Sequence, residues 1–94
     1  SDMPFNTGSF HDDSIWCIQP NSNFESVFTG GRNGAIYHTD LVNDCHNLLY
    51  KQNKCPITSM CLDEENMQLW FSNSIDSSLK CLDLFKRDPQ NSNP

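Results

Sequence analysis

Basic residues are scarce in this 94-residue chain: 6 Lys and Arg stand against 12 Asp and Glu, a formal net charge of −6. That sign opposes condensation onto a phosphate backbone or an anionic membrane surface, so nucleic acid is not expected as a general partner. Long apolar runs are missing too. No stretch approaches the roughly 18 consecutive apolar residues of a transmembrane helix, and Ser1 to Gly8 lacks the apolar core of a secretory signal. A soluble chain with no membrane association is expected. The five cysteines, Cys17, Cys45, Cys55, Cys61 and Cys81, are odd in number and sit in apolar, strand-like runs rather than at disulfide-framework spacings. Reduced thiols and a cytoplasmic or nuclear location follow, with the cysteines acting mainly as small core hydrophobes.

Reactive constellations are equally thin. His11 stands beside Asp12 and Asp13, but no Ser or Cys nucleophile is set in a recognised signature, so no catalytic residue and no enzymatic activity are expected. Cys45-His46, His38 and Cys55 lack Cys-x-x-Cys or His-x-x-x-His spacing, so neither a metal nor another cofactor is expected. Gly30-Gly-Arg-Asn-Gly34 is superficially similar to a phosphate loop, yet it lacks the Lys-Ser/Thr ending and runs into a strand instead of a helix. It reads as a hairpin turn. Asp63-Glu-Glu-Asn66 reads as a solvated turn, the alternative being an acidic patch for a basic partner.

What the chain does contain is a repeat. Glu25 to Leu41 aligns without a gap on Gln68 to Leu84, matching Phe28 with Phe71, Thr29 with Ser72, Ile36 with Leu79 and Asp40-Leu41 with Asp83-Leu84, an offset of 43 residues. Upstream, the apolar runs Ser14 to Gln19 and Ile57 to Leu62 match at an offset of 42, which puts the additional residue between the first and second strands of the later unit. Internal periods of this length are the mark of stacked repeat architectures.

Each unit reads as strand, turn, strand, turn, strand. In the first, strands are expected at 14–19, 25–30 and 35–40, separated by Pro20-Asn-Ser-Asn23 and by Gly31-Arg-Asn-Gly34, whose Asn-Gly pair is a hairpin signal. A fourth strand, 45–51, completes a four-stranded meander, whereas the second unit stops after three. The inner strands are apolar on both faces (Ile15 to Ile18, Val27-Phe28, Leu69 to Phe71), as in a sheet sandwiched between two neighbours.

Phe10-His-Asp-Asp-Ser-Ile-Trp-Cys-Ile18 occupies the place of the segment that opens a WD-repeat blade, and Thr29 to Asp40 that of the segment closing in Trp-Asp. Both units therefore resemble WD repeats. The resemblance implies an all-β fold, a partial WD40 β-propeller of two consecutive antiparallel blades, the second lacking its outer strand. Residues 1–9 are expected to be a leader, 10–51 the first blade, 52–85 the second, and 86–94 a disordered linker. It also assigns His11, Thr29 and Asn33 to the hydrogen bonding that braces the first blade, and Asp76 to the second. Several positions depart from the pattern: Phe10 stands for the glycine before the histidine, Asn33 for the turn aspartate and Thr39 for the tryptophan, with Asn53 and Leu82 at histidine and tryptophan places of the second unit. An incomplete network is expected in both.

A closer resemblance rests on His11-Asp-Asp-Ser-Ile-Trp16, Phe24, Val27-Phe-Thr-Gly-Gly-Arg-Asn-Gly-Ala-Ile-Tyr-His-Thr-Asp-Leu41, Lys54-Cys-Pro-Ile57 and Leu69-Trp-Phe71. Over about residues 10–85 the chain is similar to the USP-associated factor family, WD-repeat co-activators of ubiquitin-specific proteases. The resemblance implies a non-catalytic regulator of deubiquitination whose partner is the protease catalytic domain, bound through Trp16 and Arg32. Taken without it, Trp16 is more often a core residue than an interface one, and the alternative function is a generic WD40 interaction scaffold or strand-pairing assembly module. Two blades cover each other only once, and a lone domain of this size buries only about 60–65% of its unfolded surface. Self-association, or completion of a propeller with other chains, is therefore expected.

Overall fold

The computed structural model describes residues 11–86. The expected leader, Phe10 and residues 87–94 of the expected linker lie outside them. The fold is all-β, with two antiparallel sheets and a single 3-10 turn among the described residues. Strands β1 (Ile15–Pro20), β2 (Ser26–Gly31), β3 (Ala35–Asp40) and β4 (Cys45–Lys51) form one meander in sequence order. β5 (Ile57–Asp63), β6 (Gln68–Asn73) and β7 (Lys80–Asp83) form the other. Lys86, expected to open the linker, instead closes the 3-10 turn Leu84–Lys86 that follows β7.

Local chemistry sets the strand ends. Asn21 accepts the Glu25 and Ser26 amides on its side-chain oxygen at 3.0 and 3.2 Å, and Asn23 accepts the Glu25 amide at 3.1 Å in an Asx turn, which together bring β1 back into β2. Asp40 does the same between β3 and β4, accepting the Val42 amide at 2.9 Å and the Asn43 side-chain amide at 2.8 Å. Between β2 and β3 the chain turns at Gly34, whose φ of 92° lies in the left-handed region and whose missing side chain leaves room for the Gln52 carbonyl.

Strand pairing corrects the repeat. β1 and β2 pair Ile15 with Gly31, pass a bulge, then pair Cys17 with Gly30, Ile18 with Thr29 and Gln19 with Phe28. β5 and β6 pair Ile57 with Asn73, pass a bulge at the same step, then pair Ser59 with Ser72, Met60 with Phe71 and Cys61 with Trp70. The structural equivalent of Phe28 is therefore Trp70, not Phe71, and that of Thr29 is Phe71, not Ser72. The additional residue lies after the second strand, where 74–77 span the turn that 32–34 span in the first unit; beyond it Asp40 and Asp83 pair with Ser26 and Gln68 at equivalent places. A one-residue slip exchanges the two faces of a strand, so the correction decides which side chains meet between the sheets.

With the register set this way, the sheets stack in the same sense. The face of the first sheet that carries Phe28, Gly30 and Ile36 packs on the face of the second that carries Ile57, Leu69 and Phe71. The strands approach closely at Gly30, where a Cβ would lie 2.6 Å from the Ile57 methyl, and the Cys17 thiol donates to the Ile57 carbonyl at 3.6 Å. Farther out, the Tyr50 and Phe71 rings meet edge to face at 4.8 Å. If the face bearing Phe28 and Trp70 is called the front, the front of the first sheet covers the back of the second.

Burial follows position in the stack rather than residue type. Ile36 is 0% exposed and its front-face equivalent Leu79 is 68% exposed; on the back, Ile57 is 0% exposed and its equivalent Ile15 48%. Cysteine burial divides in the same way. All five thiols are free; Cys55 is buried and Cys17 half-buried, but Cys45, Cys61 and Cys81 are exposed, against the expectation that cysteines fill the core.

Candidate functional site

Trp16 and Arg32 meet the same end of the first sheet by different routes. Trp16 is the residue the β1 bulge leaves out of the ladder between Ile15 and Cys17, and bulges commonly redirect a side chain in this way. Its side chain is half-exposed, at 50%. Arg32 follows Gly31, the ladder partner of Ile15, and its backbone amide donates to the Ser14 carbonyl at 2.8 Å, so the turn is tied to the start of β1. The Arg32 guanidinium lies 3.6 Å from the Asp13 carboxylate, and its side chain is 61% exposed. Water screens such a surface pair, which holds the guanidinium only lightly. The corner thus presents a half-exposed indole and a loosely held planar cation, two of the side-chain types enriched among interface anchors.

Beneath this corner lies the bracing cluster. His11 and Thr29 share a hydrogen bond of 2.7 Å between Nε2 and Oγ1, and the His11 ring stands edge-on to Tyr37 at 4.7 Å. A Cβ on Gly31 would lie 2.8 Å from His11 Nδ1 and 3.2 Å from the Asn33 side-chain oxygen, so glycine leaves the space that the imidazole occupies. Burial pushes the His11 pKa below the ordinary imidazole value, with the Asp12 charge acting the other way. Asn33 accepts the Ala35 amide at 3.3 Å. Thr39, at the tryptophan place, is buried and bonds His46 through Oγ1 and Nδ1 at 2.9 Å.

His11, Thr29 and Asn33 are thus brought together around Gly31, while Asp76 stands alone in the second unit. Its carboxylate takes the Lys80 ammonium at 2.8 Å and the Ser78 amide at 3.0 Å. These donors, the ammonium first, hold its pKa down to about 2.

Two features carry no signal in the sequence. Glu64, in the acidic turn, reaches across the sheets to the Ser22 amide and hydroxyl, the latter at 3.2 Å, and Asp63 caps Asn66 at 2.8 Å. Asp63 thus braces its own turn, and Glu64 ties the two sheets together. A groove of about 400 Å³ opens between strands β2 to β4 and the Met67 and Leu84 positions of the second unit, lined by the apolar Phe28, Leu49, Met67 and Leu84 and by the polar His38 and Asp40. Among the described residues, no cluster of His, Cys, Asp and Glu is placed to hold a metal ion, and no helix is long and apolar enough to cross a membrane. No family model, curated protein or solved structure matches the chain.

Proposed function

We propose that the two sheets are consecutive blades of a WD-type β-propeller and that they act in protein recognition without catalysis. The blade reading is supported by the meander order, the shared bulge, the front-on-back stacking and the His11–Thr29 hydrogen bond. The binding surface is the corner of Trp16 and Arg32, and the partner is the catalytic domain of a ubiquitin-specific protease, whose activity the chain raises by docking. The reading rests on the exposed Trp16 and Arg32 at one end of the first sheet. The equivalent of Trp16 in the second unit is Thr58, which bonds Ser72 at 2.9 Å and offers no aromatic surface.

Calorimetric titration of the chain into a panel of ubiquitin-specific protease catalytic domains tests the proposal. At least one domain should bind, and Trp16→Ala and Arg32→Ala should each weaken it by about 2 kcal/mol, roughly 30-fold in Kd, with circular dichroism unchanged. Equal affinity for both variants removes the assigned surface. Absence of binding across the panel replaces the protease partner with the generic scaffold reading.

A further inference from the structure

The interface between the two sheets joins a front to a back, two different surfaces, so it does not use itself up: among the described residues the pair still carries one front and one back that no other strand covers, the back holding His11 over Thr29 and Tyr37. The free front belongs to the second sheet. Cys61, Trp70 and Cys81 stand in register across it, and Trp70, Ser72 and Leu79 occupy the places that Phe28, Gly30 and Ile36 hold on the buried front. An aromatic ring, a small residue and an aliphatic side chain recur in the same arrangement. The free back belongs to the first sheet, where Ile15, Ile18 and Val27 stand at the places of Ile57, Met60 and Leu69. Of these residues, Leu79 is 68%, Ile18 66% and Ile15 48% exposed, although their equivalents between the sheets are buried or half-buried.

We propose that a second copy of this chain docks on the free front of the second sheet with the free back of its own first sheet, repeating the internal interface between molecules. The contact is heterologous, so it continues until the rotation closes a ring. Rings of roughly 4 to 8 blades are the closed forms of such stacks; at two sheets per chain that is about two to four copies. The copy number rests on the blade reading proposed above, and the proposal is independent of what binds at Trp16 and Arg32.

Two exposed positions give the test. Leu79→Asp puts a charge on the front and leaves the back intact; Ile18→Asp does the reverse. In sedimentation velocity at physiological salt, where the charge on each chain is screened beyond about 8 Å, the unaltered chain should sediment as an assembly of about two to four copies. Each variant alone, with native circular dichroism, should be a monomer. Mixed in equal amounts the two should form a one-to-one dimer and nothing larger, because only one front and one back remain. A monomeric unaltered chain at concentrations up to about 0.5 mM, either variant assembling alone, or a mixture that stays monomeric would each overturn the proposal.

Discussion

Adjacent residues on β6 provide the most direct test of the register. Phe71 is 2% exposed, lies against the first sheet and meets the Tyr50 ring at 4.8 Å. Trp70, although larger, lies on the free front and is only partly covered. Truncating a buried Phe costs about 3–5 kcal/mol, the lost transfer energy plus the cavity left behind. A domain of this length has a total stability of about 5–14 kcal/mol. Phe71→Ala therefore removes about a fifth or more of it and lowers Tm by at least about 12 °C, at about 4–8 °C per kcal/mol. Trp70→Ala removes a side chain that water already reaches, and in the monomer should cost about 1–2 kcal/mol. Urea unfolding followed by far-ultraviolet circular dichroism, at protein concentrations low enough to keep the chain monomeric, measures both midpoints. Unchanged m-values would confirm that stability alone has moved. Equal costs, or a larger cost for Trp70→Ala, would refute the register and exchange the faces of β6.

Two titrations give further checks. His11 is held below its ordinary pKa, so the unfolded chain binds its proton first as pH falls; the stabilisation from neutral His11 is present above about 6.5 and is lost as pH drops below that value toward the folded pKa. Thermal melts between pH 7.5 and 5 should show this slope, and His11→Gln should flatten it. Asp76 has the opposite range, its contribution being present above the unfolded value of 3.8 and lost as pH falls through about 2; in carbon-detected NMR titration its carboxyl should have a midpoint near 2, and Lys80→Met should raise it.

Much of the local architecture is legible in the sequence. β3 and β4 lie where expected, and β1 and β2 begin one residue later than expected, because the Asn-Gly pair, the Pro20-Asn-Ser-Asn23 turn and short apolar runs act over a few residues and carry their own signals. The Trp16 and Arg32 corner was partly legible. The family resemblance pointed to the two residues, but their exposure and the Ser14 tie needed the folded sheet.

The sequence by itself determined that the chain is all-β, that it contains two related meanders, and that the second has three strands. These follow from short-range patterning of apolar residues and turn formers. It misplaced the additional residue, because pairing Phe28 with Phe71 is chemically as attractive as pairing Phe28 with Trp70. Only the ladders on each side, which couple residues far apart in the chain, distinguish the two registers. The tertiary structure also decided which of two equivalent residues is buried, as with Ile36 and Leu79, and it joined Ser22 to Glu64 across the sheets. Burial belongs to the neighbour as much as to the residue, and the neighbour of a sheet face is set by stacking rather than by local pattern.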